Sequence, residues 1–326
     1  MTNRRKLVIA LGVGALLPRW AAAQVQGKVF RIGWLSNDIP ANSPFFDAFR
    51  GGMRDLGYVE GRNLVIEARW GEGSASRLDQ LALELVQLKP EIIVTQGGPA
   101  THPVVRAGAT MPVVFGYSGD PVEGKLVNSY ARPGGNFTGV SFLSLELVGK
   151  RMELLKEAMP GLKRVAIVAR PEHPGEQGEL RASQAAAKSL GLAVDYHQVR
   201  NESEFANALA AIVKSRSEAI VVFPDAFMMR YSEKLAEFAL KNRIPAISGW
   251  AQFADRGNLM TYGPNLRDVF RRLATYVDKI FKGAKPADLP VELPMTVELV
   301  VNMKTAKTLH IKIPNSILVR ASKVIE

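Results

Sequence analysis

Apolar positions along the chain change period in a regular way. Residues 29–35 read as a strand that ends at the polar loop Ser36-Asn37-Asp38. After Ser43-Pro44, an N-cap followed by a first-turn proline, Phe46, Phe49, Met53 and Leu56 recur at helical spacing until Gly57 stops the element. Residues 63–70 alternate as a second strand, and Leu78, Leu81, Leu85 and Leu88 mark a helix closed by Pro90. Residues 92–95 and 113–115 are short, continuously apolar runs, the pattern of strands covered on both faces.

The rhythm then repeats. A helix over 145–159 leads to a strand at 164–169 and a second helix that ends at Leu190, with Gly191 as its stop. A strand at 194–199 precedes a helix that starts at Asn201 or Ser203 and carries Phe205, Leu209, Ile212 and Val213 on one face. Strands at 219–223 and 244–248 flank a helix over 231–242. Two successive β-α series place the chain in the α/β class, as two doubly wound parallel-sheet lobes. No glycine-, serine- or proline-rich tether separates them, so short hinge segments join lobes that touch. The expected division is 28–142 plus 264–285 for the first lobe and 143–263 plus 286–326 for the second. The chain then crosses between lobes near 141–145, 262–265 and 285–291.

Composition narrows the chemistry. The 326 residues are 47% hydrophobic and 22% charged, which is ordinary for a folded protein. The absence of cysteine excludes disulfides, thiolate metal sites and cysteine nucleophiles. The four histidines, His102, His173, His197 and His310, are scattered without metal-ligand spacing, so no metal site and no cofactor is expected. Residues 1–23 have the order of a secretory signal: basic Arg4, Arg5 and Lys6, an apolar run over 7–17, and Ala21-Ala22-Ala23 before Gln24. That run is short of the ~20 apolar residues of a membrane span. The Arg4-Arg5 pair is compatible with twin-arginine export. Removing the leader lowers the formal charge from +11 to +7, because Arg4, Arg5, Lys6 and Arg19 leave with no acid. The remaining bases are dispersed without interleaved aromatics, which argues against nucleic acid. The expected location is the periplasm.

Ligands of open α/β sheets bind beyond the carboxyl ends of strands. The loops to search are therefore 36–38, 96–101, 117–121, 170–171, 224–227 and 249–250. Gly97, Gly98, Pro99 and Ala100 combine backbone access with a helix start, suited to a carboxylate or simply to a tight turn. Asp225 follows an apolar strand and reads either as a partner for a ligand ammonium or as a helix N-cap. Asp120, before Pro121, has the same two readings. Ser36, Asn37, Ser141, Phe227 and Trp250 lie at or near strand ends, Phe45 is offset from the core face set by Phe46 and Phe49, and the aromatics suggest an apolar or aromatic ligand portion. No nucleophile–base pair, P-loop or G-x-G-x-x-G is present, so no catalysis is expected.

Local strings carry a resemblance. Ile32-Gly33-Trp34-Leu35, the run 56–63, Gly119-Asp120-Pro121-Val122, the run 132–141, the run 283–291 and the tail 298–325 resemble the ABC transporter substrate-binding protein family that includes tryptophan- and tyrosine-binding members. The resemblance covers nearly all of the chain beyond the leader. It implies the type I periplasmic-binding-protein architecture and a solute held between lobes that close on a hinge. It also implies delivery to an ABC permease and its ATPase at the inner membrane, by a monomer. By that resemblance the loop at 97–101 takes the carboxylate end of an amino acid and Asp225 its ammonium. Two departures weaken the amino-acid assignment: Gly98 stands where such binders carry threonine, and Arg170-Pro171 replaces an asparagine-containing turn. The alternative functions are a ligand-sensing subunit for a membrane sensor and, behind it, an exported enzyme on the same fold.

Overall fold

The computed structural model describes residues 28–40, 43–142, 145–173 and 175–326. The expected signal peptide at 1–23 lies outside the described residues. In the first half, strands β1 (Phe30–Ser36), β2 (Leu64–Trp70), β3 (Ile92–Gln96), β4 (Val113–Tyr117) and β5 (Phe137–Ser141) alternate with helices α1 (Pro44–Asp55), α2 (Ala75–Gln87) and α3 (Gly98–Arg106). Their sheet is wholly parallel, in the order β2-β1-β3-β4-β5.

The second half begins with α4 (Leu145–Ala158), β6 (Arg164–Ala169), α5 (Glu176–Leu190), β7 (Ala193–Gln198), α6 (Glu202–Lys214) and β8 (Ala219–Val222). It continues with α7 (Ala226–Arg230), α8 (Ser232–Asn242), β9 (Ala246–Ser248), α9 (Ala251–Asp255), β10 (Met260–Pro264) and α10 (Leu266–Phe281). The chain ends with β11 (Val297–Asn302), α11 (Met303–Thr308), α12 (Asn315–Leu318) and β12 (Lys323–Ile325). The order is β12-β11-β10-β9-β8-β6-β7. Its first five strands by sequence repeat the doubly wound order of the first sheet. The expected parallel sheet needs one correction: β10 and β11 pair antiparallel, Met260 opposite Val301 and Pro264 opposite Val297. The chain reaches β11 only after leaving this sheet to form α10, and it returns from the opposite end.

Helix α10 explains why the lobes are not two simple halves. It packs on α1 and against β4 and β5 of the first sheet. Its buried stripe Leu266, Val269, Phe270, Leu273, Ala274 and Val277 follows the 3.6-residue period and covers the first sheet. The assignment of 286–292 to the second lobe is corrected. Thr138 Oγ1 donates to the Leu289 carbonyl at 2.7 Å, Val291 N to Tyr130 O at 2.7 Å, and Glu292 N to Gly139 O at 3.1 Å. Val291 is buried in the first-lobe core, which ties the segment down. The third crossing therefore falls at 293–296. Ser43 is also corrected: its side chain makes no cap bond, and Pro44 opens α1 without it. Asn201, not Ser203, caps α6 by accepting from Glu204 N at 3.0 Å. No helix among the described residues is long and apolar enough to cross a membrane.

Candidate functional site: the cleft between the lobes

The carboxyl ends of β1, β3 and β4 face those of β6, β8 and β9 across a cleft. Two adjoining cavities in it share Pro99 and Ala226 as a common wall. The inner one, about 170 Å³, has the rings of Phe45, Phe142, Trp250 and Phe270 as walls, with Asp38, Gln96, Ser118, Gln252 and Arg256 as polar points. The outer one, about 350 Å³, is lined by Asn37, Gly98, Pro99 and His102 from the first lobe and by Arg170, His173, Asp225, Phe227 and Arg230 from the second.

The aromatic wall is braced by its own packing. Phe45 stacks on Phe270 with centroids 5.0 Å apart, and Phe142 meets the edge of Trp250 at 6.0 Å. Phe45 and Phe270 come from the first lobe and Trp250 from the second, so the chamber exists only when both lobes contribute. At its polar side the Gln96 amide donates to Asp38 Oδ2 at 2.5 Å. Burial pushes the Asp38 carboxyl above the usual carboxylate range, while the Gln96 hydrogen bond and the Arg256 charge oppose it. Arg256 donates to the Met229 carbonyl at 2.7 Å.

The loop after β3 has a physical account. Gly97 has φ +78°, a conformation that glycine adopts without the penalty of a side chain, and this turns the strand directly into α3. At Gly98 a Cβ would stand 3.3 Å from the Tyr117 ring and 3.8 Å from His102. Those two residues are themselves joined, His102 Nε2 to Tyr117 Oη at 2.9 Å. The His102–Tyr117 pair lies beneath the loop, and the Tyr117 ring would have to give by a few tenths of an ångström to admit a side chain at 98. Burial pushes the His102 imidazole below its usual range, with the Arg106 charge adding to it.

On the second lobe, Asp225 is buried, and its Oδ1 accepts from Phe227 N at 2.7 Å and Met228 N at 3.4 Å. It is an N-cap whose carboxylate also lines the outer cavity. Behind it, Arg151 and Glu179 form a buried ion pair at 3.5 Å, and Arg151 Nε donates to Tyr262 O at 2.9 Å. Arg230 reaches across the cleft mouth and donates to Gly73 O at 2.9 Å.

Of the twelve residues singled out from the sequence, Asn37, Phe45, Gly97, Gly98, Pro99, Asp225, Phe227 and Trp250 line the two cavities. Four do not. Ser36 Oγ accepts from Asp38 N at 3.0 Å and shapes the loop from beneath. Ala100 is part of the first-lobe core. Asp120 Oδ1 takes Val122 N at 2.7 Å and Glu123 N at 3.1 Å, which makes it a turn aspartate. Ser141 Oγ donates to Gly119 O at 2.9 Å and is buried at the end of β5. Gln96, Asp38 and Ser118 lay in loops flagged by the strand-end rule. Phe142, Gln252, Arg256 and Phe270 carried no such signal, because helices, their ends and a chain crossing bring them in, and His173 lies in the loop after β6 just beyond the marked turn. Among the described residues no cluster of His, Cys, Asp or Glu could hold a metal ion.

The sequence profile described as ABC transporter substrate binding protein matches residues 39–325. The chain belongs to that family. A curated relative, the tyrosine-binding protein of Clostridioides difficile (strain R20291), is 23% identical over 261 residues, 80% of this chain and 74% of that one. Among solved structures, an ABC domain from Streptococcus pneumonia in complex with L-Trp superposes with a TM-score of 0.84 at 25% identity, covering 91% of this chain and all of that one. A conserved domain protein from Vibrio cholerae superposes at 0.83 with 27% identity, again over 91% of this chain and 100% of the other. The two-lobed α/β architecture is that of these neighbours.

Proposed function

We propose that this substrate-binding protein captures a small organic solute, amino-acid-like and with an aromatic or apolar body, and delivers it to an ABC importer. The observation that carries the reading is the inner chamber, where Phe45 and Phe270 of one lobe face Trp250 of the other. A ring enters there when the lobes are apart and loses its remaining water when they close. The Gly97–Gly98 turn and the outer cavity take the charged end. Relatives that bind tyrosine and L-Trp support an aromatic body. Binding requires no covalent step, metal or cofactor; the work is done by preformed surfaces and hinge closure. The protein acts as a monomer in the periplasm, with a mature N-terminus at or near Gln24, and the closed form presents both lobes to the permease and its ATPase. A thermal-shift screen of amino acids, aromatic acids, sugars and polyamines tests the reading. Stabilisation confined to solutes with a carboxylate and an apolar body is expected; stabilisation by sugars or polyamines alone would refute it.

A further inference from the structure

The outer cavity is cationic in a specific way. Four guanidinium groups line it, those of Arg106, Arg170, Arg200 and Arg230. Arg106 is held by Asp79, and Arg170 and Arg200 share Glu172 at 3.3 and 3.5 Å. Arg230 has no carboxylate partner among the described residues; its one hydrogen bond is to the Gly73 carbonyl, which leaves the rest of its fork unused. The acids that line the cavity are Glu172 and Asp225. Glu172 is thus already shared between two arginines, and Asp225 has Oδ1 committed to two backbone amides.

His173 is the second observation. It lines the same cavity and is only 6% exposed, yet neither ring nitrogen has a hydrogen-bond partner. Buried polar groups are almost always paired, and the one group that comes into hydrogen-bonding range, the Ser118 backbone across the cleft, serves one ring nitrogen at most, so the other asks for a ligand atom. Asp225 and Arg170 are the charges that face it, and the Ser118 backbone approaches it from the other lobe. Its own segment is fixed: His173 N donates to Arg170 O at 3.1 Å, and His173 O accepts from Glu176 N at 3.0 Å. The Arg170 guanidinium lies over the Phe227 ring, 5.1 Å from its centroid, which holds it at the cavity edge.

We infer that the solute is net anionic: a carboxylate on an aromatic or apolar body, without an ammonium group. Its carboxylate is received by Arg230, Arg170 and the His173 N–H opposite the Gly97–Gly98 turn. A zwitterion would bring an ammonium into a wall that already carries an unpaired guanidinium, toward a carboxylate engaged as a cap. This deepens the reading above and rests on it, because the apolar body must still occupy the inner chamber.

The test is calorimetric titration of matched pairs that differ only in the ammonium group: phenylalanine against 3-phenylpropionate, tyrosine against 3-(4-hydroxyphenyl)propionate, and tryptophan against indole-3-propionate. The expected result is that at least one deamino acid binds tighter than its amino acid by about tenfold or more, equivalent to about 1.4 kcal/mol. His173→Gln, which keeps a donor, should retain much of that preference. Arg170→Gln and His173→Phe should narrow it, with melting curves of the unliganded variants separating lost contact from lost fold. Tighter binding of the amino acids would overturn the inference and leave the aromatic-solute reading standing. Binding by none of the six would overturn both.

Discussion

Asp225 Oδ1 and the Phe227 amide are joined by a 2.7 Å hydrogen bond, so a residue that lines the outer cavity also starts helix α7. The two roles separate by substitution. Asparagine caps about as well as aspartate, whereas alanine costs ~1 kcal/mol of stability. Asp225→Asn should therefore melt near wild type and Asp225→Ala below it. Asp225→Asn should also keep its affinity for carboxylates that lack an ammonium, because the charge it loses makes no contact with them. Melting curves beside titration with 3-phenylpropionate check both halves.

The Arg230–Gly73 hydrogen bond spans the mouth of the cleft and can form only when the lobes are together. Arg230→Ala should weaken every solute, since the closed form loses ~0.5–1.5 kcal/mol. That is roughly a twofold to tenfold rise in Kd. A larger loss is expected for carboxylates, which also lose a contact. Small-angle scattering should show wild type compacting on solute addition and the variant compacting less at equal occupancy.

Phe45 is half-buried and stacked on Phe270, and its far side faces the inner chamber. Phe45→Ala should selectively weaken solutes with a ring, by ~0.5–1.5 kcal/mol beyond the loss of buried area. A carboxylate with a short aliphatic body should change less. Titration of an aromatic and an aliphatic acid against the variant measures the difference.

Burial raises the Glu179 carboxyl to about 7 from an ordinary 4.5, and the Arg151 charge pulls the other way. Asp225 and Glu176 reinforce the upward shift. Between about pH 4.5 and 7 the folded protein therefore holds a proton there that the unfolded chain has released. This contribution to stability is fully present below 4.5 and is lost as the pH rises through about 7. Melting temperature should fall between about pH 5 and about pH 8 in wild type, and less steeply in Glu179→Gln.

Much of the architecture was legible because it rests on local signals. The continuous apolar runs at β3 and β8 and the proline or glycine stops after α2 and α5 each reflect one element's own burial. The antiparallel β11 and the attachment of 286–292 to the first lobe were not legible, because both depend on where the chain returns after α10. The cleft shows the same division. Gly97, Asp225 and Trp250 sit directly at strand ends, where topology alone points. Phe270 arrives on a helix and Arg256 directly after one, and His173 lies two residues beyond the Arg170-Pro171 turn. Ala100 and Asp120 show the converse: proximity to a strand end does not decide whether a side chain faces the cleft, the core or its own turn.

The most direct measurement is the identity of the solute that the protein itself retains. Protein purified without refolding, then denatured, should release one small molecule for mass spectrometry. The account predicts a carboxylate with an aromatic or apolar body and no amine, at a substantial fraction of one per chain. A sugar, a polyamine or a metal ion in its place would contradict the assignment of the cleft, and a zwitterionic amino acid would contradict its charge preference.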